Sequence, residues 1–500
     1  MDSKSWQPVL RRDDWLDLAR KVDWTYRYVA ETDIFPVEMS GRPWLDHDAW
    51  ADWNEAYRTT YREYVTNQRA KDEAVMGVRA AMSKARLVES LDSGWIQLVK
   101  FHNGALALAE YAGVVAELRM ARFGRDSAWR MMATLGALDE MRHTQIPLII
   151  GHDMLRFDGN FDWTHRAYHT NEWVMIAARH LFDDMFLAAD AIDVAIQLNF
   201  VFETGFSNLQ FMALAALADA ADHHLFEKAL ASIQTDESRH AQIGHPVLRT
   251  LIANQAQDRA QYLVDKMWWR CWRLLVALTG TSMDYLTPRR ARTRSFKEFM
   301  EEWVIEQFTK NLAEFDLQRP WFWDLFLEEL DFAHHSFQLG LYSYRTTLWF
   351  DVPMPDDSDR DWLMEKYPLW QESFGPVWDR LERAWATQGE PGTLAYALPA
   401  LCNLCQLPTV FIRPGRNTAC TLEAGGRKYL FCSEPCRWIF SKEPGRFAAH
   451  KNVVDRIVAG EAPGKLTDLH EWMGLEAPIE MGKDLRRGLD RWRLDPIPTG

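Results

Sequence analysis

Basic residues, long apolar runs and cysteines are all in short supply in this chain, and each shortage removes a class of function. Lysine and arginine number 57 against 71 aspartates and glutamates, a formal charge of −14. Binding to nucleic acid needs a basic face that neutralises phosphates, so this balance argues against it and would suit a basic protein partner instead. No uninterrupted apolar stretch approaches the roughly 18 residues of a membrane-crossing helix. Met1 to Trp15 alternates charged and apolar residues, without the apolar core of a secretory signal. No membrane insertion and a cytoplasmic location are the expectations. Six cysteines in 500 residues are too few for a disulfide scaffold, and Cys271 stands apart from the other five, which fall between 402 and 436.

What is present is ample apolar material, 47% of the chain, with 24 Trp, 14 Tyr and 26 Phe. Aromatics at this density serve either a large core or surfaces buried against partners. Residues 1–66 are Trp-rich and interrupted by Pro36 and Pro43, and read as a strap. Residues 67–350 carry segments of helical period at 68–90, 96–123, 126–150, 168–188, 190–216, 222–252 and 256–280, with further helices expected at 296–314 and 322–347. A Pro- and Asp-rich break at 351–360 opens a linker with helices that extends to 395. Residues 396–500 form a small Cys-rich unit and tail, with a short strand at Lys428–Phe431 and a helix at Cys436–Phe440. The fold class is all-α.

The most informative pattern occurs twice: Asp139-Glu140-Met141-Arg142-His143 and Asp236-Glu237-Ser238-Arg239-His240. Glu-x-x-His puts a carboxylate and an imidazole a turn apart on one helix face, able to converge on one metal ion. No other His in the chain has Glu three residues before it. Upstream of each pair lies a further glutamate, Glu110 and Glu203. Four glutamates and two histidines match the ligand set of di-iron or di-manganese carboxylate bundles, so the core is expected to be a ferritin-like four-helix bundle. Six ligands on two metals leave positions open for O2, which a storage or structural site would not require. Asp139 and Asp236 are candidates to hold the outer nitrogens of the histidines; with Arg142 and Arg239 they could equally neutralise buried charge.

The surroundings of the glutamates read as a pocket. Leu106, Ala109 and Gly113 flank Glu110, with small residues where a packed core would favour Leu. Leu198 and Phe202 lead into Glu203, and Phe182, Phe211 and Leu214 could complete an apolar wall, although each is also an ordinary core residue. Ser207, Asn208 and Gln234 are polar and out of place there unless they act on protons or oxygen; the Ser207 hydroxyl could also simply bond the carbonyl a turn back.

Glu110, the 139–143 motif, Phe202-Glu-Thr-Gly-Phe-Ser-Asn-Leu-Gln-Phe211 and Ser232-Ile-Gln-Thr-Asp-Glu-Ser-Arg-His-Ala241 resemble the hydroxylase alpha subunit of bacterial multicomponent di-iron monooxygenases, in the toluene and alkene (isoprene) branch. The resemblance continues through Phe296–Met300, Pro320–Asp324 and Met481–Asp484. It implies two iron ions, one on Glu110, Glu140 and His143 and the other on Glu203, Glu237 and His240. It implies a pocket lined by Leu106, Ala109, Phe182, Leu198, Phe202 and Phe211. It further implies a dimer of heterotrimers with beta and gamma subunits, an effector protein, and electrons from NADH through a flavin reductase and a Rieske ferredoxin. One oxygen atom would enter a small apolar hydrocarbon, with an arene the first expectation, alkene epoxidation the second and a di-iron desaturase a more distant alternative. Where such relatives typically carry Thr, this chain has Ser207. Finally, Cys402-x-x-Cys405 and Cys432-x-x-x-Cys436 have the spacing of a tetrathiolate zinc site. They resemble the zinc-bearing end of phenol hydroxylase alpha subunits and a YHS-type module, with Cys420 outside the set.

Overall fold

A computed structural model of the chain describes residues 47–50, 53, 59–155, 157–158, 161, 172–186, 188–344, 350–409, 412–413 and 415–473. Most of the strap expected over 1–66, and the stretch Met481–Asp484, lie outside the described residues.

Helix α1 (Tyr61–Ala85) begins at a capping box, in which the Thr60 hydroxyl accepts from the Glu63 amide and the Glu63 carboxylate from the Thr60 amide. The helix therefore starts and ends earlier than the expected 68–90, with Arg86 closing it at a φ of 55°. Helices α2 (Ser93–Phe123) and α3 (Ser127–Met154) are capped by Asp92 and Asp126, each accepting two backbone N–H groups of its first turn. They pack against one another along their length, as do α5 (Ala191–Ala220) and α6 (His224–Ala253), to make the four-helix core. Helix α4 (Trp173–Phe186) and helix α7 (Gln257–Leu275) pack against the outside of α2 and α5, and α1 lies on α6.

Helix α5 is wound unevenly. Ile196–Ser207 forms a π-helix, a winding that is rare and concentrated at functional sites. The Thr204 hydroxyl donates to the Asn199 carbonyl at 2.8 Å, satisfying an acceptor in the widened turn. By length and apolar composition α5 is also the one described helix that could cross a membrane. It nevertheless carries the buried polar residues Asn199, Glu203, Ser207 and Gln210, which suit a helix inside a protein core rather than one in lipid.

Much of the aromatic content serves this core. Trp95, Trp129, Trp268, Trp269 and Trp272 are almost fully buried, and Trp268 lies with its ring centroid 4.0 Å from that of Phe308. Helix α8 runs through Phe296–Phe299, Met300–Ile305 and Glu306–Glu314. The single helix expected over 322–347 is two, α9 (Trp323–Glu329) and α10 (Ala333–Tyr344), and Asp331 in the break is held by Lys297 at 2.8 Å. The 351–395 region supplies α11 (Asp357–Lys366) and α12 (Gly375–Gln388), whose Trp362 and Trp378 pack in a second aromatic cluster around Tyr285 and Tyr342. In the Cys-rich unit, β1 (Cys420–Ala424) pairs antiparallel with β2 (Arg427–Phe431). Gly425 and Gly426 between them have φ of 59° and 74°, as a two-residue type I′ hairpin requires. Helix α13 (Glu434–Lys442) follows.

Helices α5 and α6 approach closely at Gly244, where a Cβ would lie 2.6 Å from the Phe200 amide nitrogen and 2.8 Å from its Cβ. Gly244→Ala is expected to destabilise the protein by about 1–3 kcal/mol through overpacking, read as a lowered denaturation midpoint. An unchanged midpoint would show that the two helices separate freely at this point.

Candidate metal centre

The two Glu-x-x-His motifs sit at the middle of α3 and α6, and Glu110 and Glu203 sit opposite them on α2 and α5. All six side chains are buried. Their ligand atoms fall into two overlapping groups, Glu110, Glu140, His143 and Glu237 in one, and Glu140, Glu203, Glu237 and His240 in the other, each within 4.8 Å. Each group contains one of the triads that the resemblance implies, and Glu140 and Glu237 belong to both. His240 Nδ1 lies 2.9 Å from Glu140, and His143 Nδ1 lies 3.1 Å from Glu237, so each imidazole faces the glutamate of the opposite motif.

The outer nitrogens are held in the same crossed manner. His143 Nε2 is 3.3 Å from Asp236 Oδ2, and His240 Nε2 is 3.1 Å from Asp139 Oδ2. A carboxylate can only accept, so each Nε2 carries a proton, and Nδ1 is left on the side of the cluster where its lone pair would meet a metal ion. Arg239 pairs with Asp139, and Arg142 with Asp236 at 3.3 Å. Arg142 also donates to Ser232 at 2.5 Å.

The charges fit two cations. Four carboxylates and two imidazole Nδ1 atoms point into one buried space, and neither Nδ1 nor Glu237 Oε1 has a hydrogen-bond partner. Burial first, and then the charge of Glu237, pushes Glu140 and Glu203 well above the usual carboxylate range. Burial pushes His240 down to about 3. Burial also opposes ionisation of His143, but its contacts with Asp236, Glu110, Glu140 and Glu237 outweigh it and raise that group. Such a cluster must take up either protons or metal ions, and hard carboxylates with imidazole suit iron or manganese. Two divalent ions would balance four carboxylates.

Against this cluster lies a cavity of about 90 Å³. Leu106, Ala109, Gly113, Phe182, Leu198, Phe202 and Phe211 line it as the sequence suggested, together with Glu110, Glu140, Glu203 and Glu237 at its floor. The Phe182 and Phe202 rings meet edge to face at 5.9 Å. Ser207 lines it too, and its hydroxyl donates to Glu237 Oε2 at 3.3 Å. The remaining expected wall residues lie elsewhere. Asn208, about 100° further round the helix, lines an open cleft with Ser238 and His245 on the far side. Gln234 donates to Asn208 Oδ1 at 2.8 Å and lines neither space. Leu214 is fully buried in the core beyond the cavity.

Several residues around the site were not anticipated. Tyr64, Gln68 and Lys71, on one face of α1, reach Asp139 at 2.8 Å, both Asp139 and Asp236 at 2.5 and 2.7 Å, and Asp236 at 2.5 Å. Asn199 donates to Glu203 at 2.8 Å and to Glu117 at 2.9 Å. Gln210 lines the cavity beside Ser207. Glu117 and Gln210 carry a sequence signal, since each lies seven residues beyond a candidate ligand, Glu110 or Glu203, on the same helix face. Far from this centre, Cys402, Cys405, Cys432 and Cys436 converge, all buried, within 4.8 Å. Separations of 3.9 Å (Cys405 to Cys432) and 3.4 Å (Cys432 to Cys436) bracket the edge of about 3.8 Å that 2.3 Å metal–sulfur bonds give a tetrahedron. Cys420, on β1, stands outside the cluster.

A family model described as Methane/Phenol/Alkene Hydroxylase matches residues 24–255. The alpha subunit of the oxygenase component of an alkene monooxygenase system from Xanthobacter autotrophicus is 41% identical, over 95% of this chain and 96% of that protein. The chain belongs to the methane/phenol/alkene hydroxylase family. A phenol 2-monooxygenase oxygenase component from a Pseudomonas species is 27% identical over 91% of this chain and 88% of that protein. The solved phenol hydroxylase of Pseudomonas sp. OX1 superimposes with a TM-score of 0.84 at 25% identity, covering 96% of this chain and 97% of that one. As a member of this hydroxylase family, the chain is the catalytic subunit of a multicomponent di-iron monooxygenase.

Asp236→Asn would leave His143 without its carboxylate partner. Metal titration is expected to show an affinity about 10–100-fold lower than the parent, and equal affinities would confine Asp236 to charge balance.

Proposed function

We propose that this hydroxylase inserts one oxygen atom of O2 into a small alkene to give the epoxide, with arene hydroxylation the second reading. The observation that carries the proposal is the contact between an apolar cavity of about 90 Å³ and the carboxylate cluster. An apolar protein cavity that holds benzene is about 150 Å³, so the space here suits a smaller hydrocarbon. The greater similarity to the alkene monooxygenase subunit, 41% against 27% for the phenol enzyme, points the same way and shifts the choice from the arene that the sequence favoured. Two iron ions held by Glu110, Glu140, His143, Glu203, Glu237 and His240 would supply O2 activation, one atom passing to the alkene and the other leaving as water with two electrons and two protons.

The chain's own residues set the conditions for that chemistry. Leu106, Phe182, Leu198, Phe202 and Phe211 keep bulk water from the floor of the cavity, where stray protons and water would divert the oxidant. The Ser207 hydroxyl holds a proton against Glu237 at the cavity edge, a place from which it can be delivered. Asp139 and Asp236 fix the imidazoles so that both Nδ1 atoms face inward. The electrons come from NADH through a flavin reductase and a Rieske ferredoxin, and beta and gamma subunits with an effector protein complete the system.

We also propose one structural zinc on Cys402, Cys405, Cys432 and Cys436. Trp269 Nε1 donates to Cys436 Sγ at 3.1 Å, and Arg273 lies buried near enough to Cys405, Cys432 and Cys436 for their charges to raise it against the effect of burial. A tetrathiolate zinc carries a net charge of −2, which an adjacent guanidinium partly offsets.

The reconstituted system, given labelled O2 with propene and toluene in competition, is expected to release labelled epoxide in excess; labelled cresols in excess would establish the arene reading. Glu203→Ala and His240→Ala should each lose turnover by at least about 10³-fold, and turnover retained in either would remove these residues from the ligand set. With Ser207→Ala, more NADH should be consumed per product formed, whereas unchanged coupling would make the hydroxyl a packing feature. Elemental analysis should find one zinc per chain, absent in Cys405→Ser.

A further inference from the structure

One wall of the cavity is built from α4 and from α7 with the wide turn that follows it. On α4, Val174, Ala178 and Phe182 recur every four residues and line the cavity. On α7 and the turn, Leu274, Leu275 and Leu278 do so. Both elements carry a second face, and several side chains on it are tied to the Cys-rich unit. Tyr262, Lys266, Trp269, Arg270 and Arg273 form a continuous stripe along α7. Tyr262 donates to Glu443 at 2.7 Å and Trp269 to Cys436 at 3.1 Å. Arg270 spans the whole junction, donating to the Leu404 carbonyl between the first two cysteines at 3.2 Å and to the His180 carbonyl of α4 at 3.1 Å.

Two α4 residues pointing away from the cavity complete the junction. Asp184 receives Lys266 of α7 at 3.2 Å and Arg446 of the Cys-rich unit at 3.1 Å. His180 Nε2 sits 2.6 Å from His450 Nδ1. Asp184, Lys266, Arg270 and His180 are all buried, so breaking one contact leaves charged or polar groups unpaired in a dry interior. That makes the junction stiff in a way that apolar packing alone would not be.

We propose that the Cys-rich unit is a specificity-setting buttress: through Arg446 and His450 it fixes the α4 and α7 wall of the cavity, and so determines how a small hydrocarbon sits over the carboxylate cluster. Arg446 and His450 act as positioning residues, since neither lines the cavity. The proposal rests on the reading of that cavity as the hydrocarbon site. Shape discrimination in an apolar pocket depends on wall placement to a fraction of an ångström, and the junction holds the wall from behind without adding any polar group to it. A zinc tetrathiolate would rigidify the same unit, so its loss would act in the same direction.

The test uses the full multicomponent holoenzyme with Arg446→Gln, His450→Gln, Arg446→Lys and, separately, Cys405→Ser. Both Gln variants should keep two irons per chain yet change the enantiomer ratio of the epoxide from propene by about threefold or more, and Arg446→Lys should restore most of the parent ratio. In parallel, the affinity of iron-free protein for 3,3,3-trifluoropropene, followed by fluorine NMR, should fall about threefold or more in the Gln variants and in Cys405→Ser. Unchanged ratio and unchanged affinity would overturn the buttress, as would a loss that tracks iron content alone. If the holoenzyme forms no epoxide from any alkene, the functional reading fails while the NMR affinities still decide the buttress. If one Gln variant does not fold, the other Gln variant and Cys405→Ser decide it by the same two readouts.

Discussion

Four carboxylates share a space from which water is excluded, and the rest of the bundle is arranged to make that tolerable. Like charges a few ångströms apart in a medium of low polarisability repel by several kcal/mol even at an effective dielectric constant near 20. Two cations remove the repulsion and provide a reason for the helices to converge. Room for the carboxylates is made by omission: a Cβ at Gly113 would come within 2.7 Å of Glu140 Oε2. Gly113 therefore has two tasks, since it also lines the cavity, and a larger residue there would both shrink the hydrocarbon space and displace a ligand.

The crossed arrangement of the outer carboxylates extends the same logic. Because Asp139 holds the imidazole of the α6 motif and Asp236 that of the α3 motif, neither half of the site is complete without the other. Gln68 donates to both aspartates, and Tyr64 and Lys71 one turn to either side add a bond to each. Helix α1 thereby spans the two motifs like a bar, which explains why a helix outside the four-helix core carries polar residues on its inward face. Removing any one of these bonds leaves a carboxylate in the interior with less compensation than it needs.

The ligand set, the helical core and the cysteine cluster were legible in the sequence because each rests on a short, fixed spacing: Glu-x-x-His twice, Cys-x-x-Cys and Cys-x-x-x-Cys. Helix periodicity located α2, α3, α5 and α6 closely, for long amphipathic runs bounded by Asp92 or Asp126 leave little ambiguity. Three-dimensional relations were not legible. That Glu140 and Glu237 belong to both ligand groups follows from the crossing of α3 and α6, which no one-dimensional spacing encodes. Asn208 reads as a polar member of the wall in the sequence, yet it directly follows the π-wound turn Ile196–Ser207 and emerges toward the open cleft. Helix α1 was mistimed because its start depends on the Thr60–Glu63 capping box rather than on the apolar pattern. Its contribution to the site could not be read at all, since Tyr64, Gln68 and Lys71 are separated from their aspartates by about 70 residues or more.

Charge balance at the centre also depends on a residue that binds nothing there. Glu117 is fully buried, about two turns along α2 from Glu110, and burial pushes its carboxyl up to about 8. Burial thus favours its neutral form, in which it adds little to the four carboxylates beside it. Were it ionised, five carboxylates would face two divalent ions, and the extra charge would lie on the Asn199 side, adjacent to Glu203. Asn199 instead spends its two amide hydrogens on one oxygen of each acid, which orients Glu203 without contributing charge. Gly136 keeps this corner free, since a Cβ there would approach Glu117 Oε2 to 2.8 Å. A neutral acid and an amide thus back the α5 ligand where the arginine-paired aspartates back the histidines, and the difference follows from what each ligand needs. An imidazole is oriented by a negative acceptor, whereas a carboxylate is oriented by a donor that adds no further negative charge.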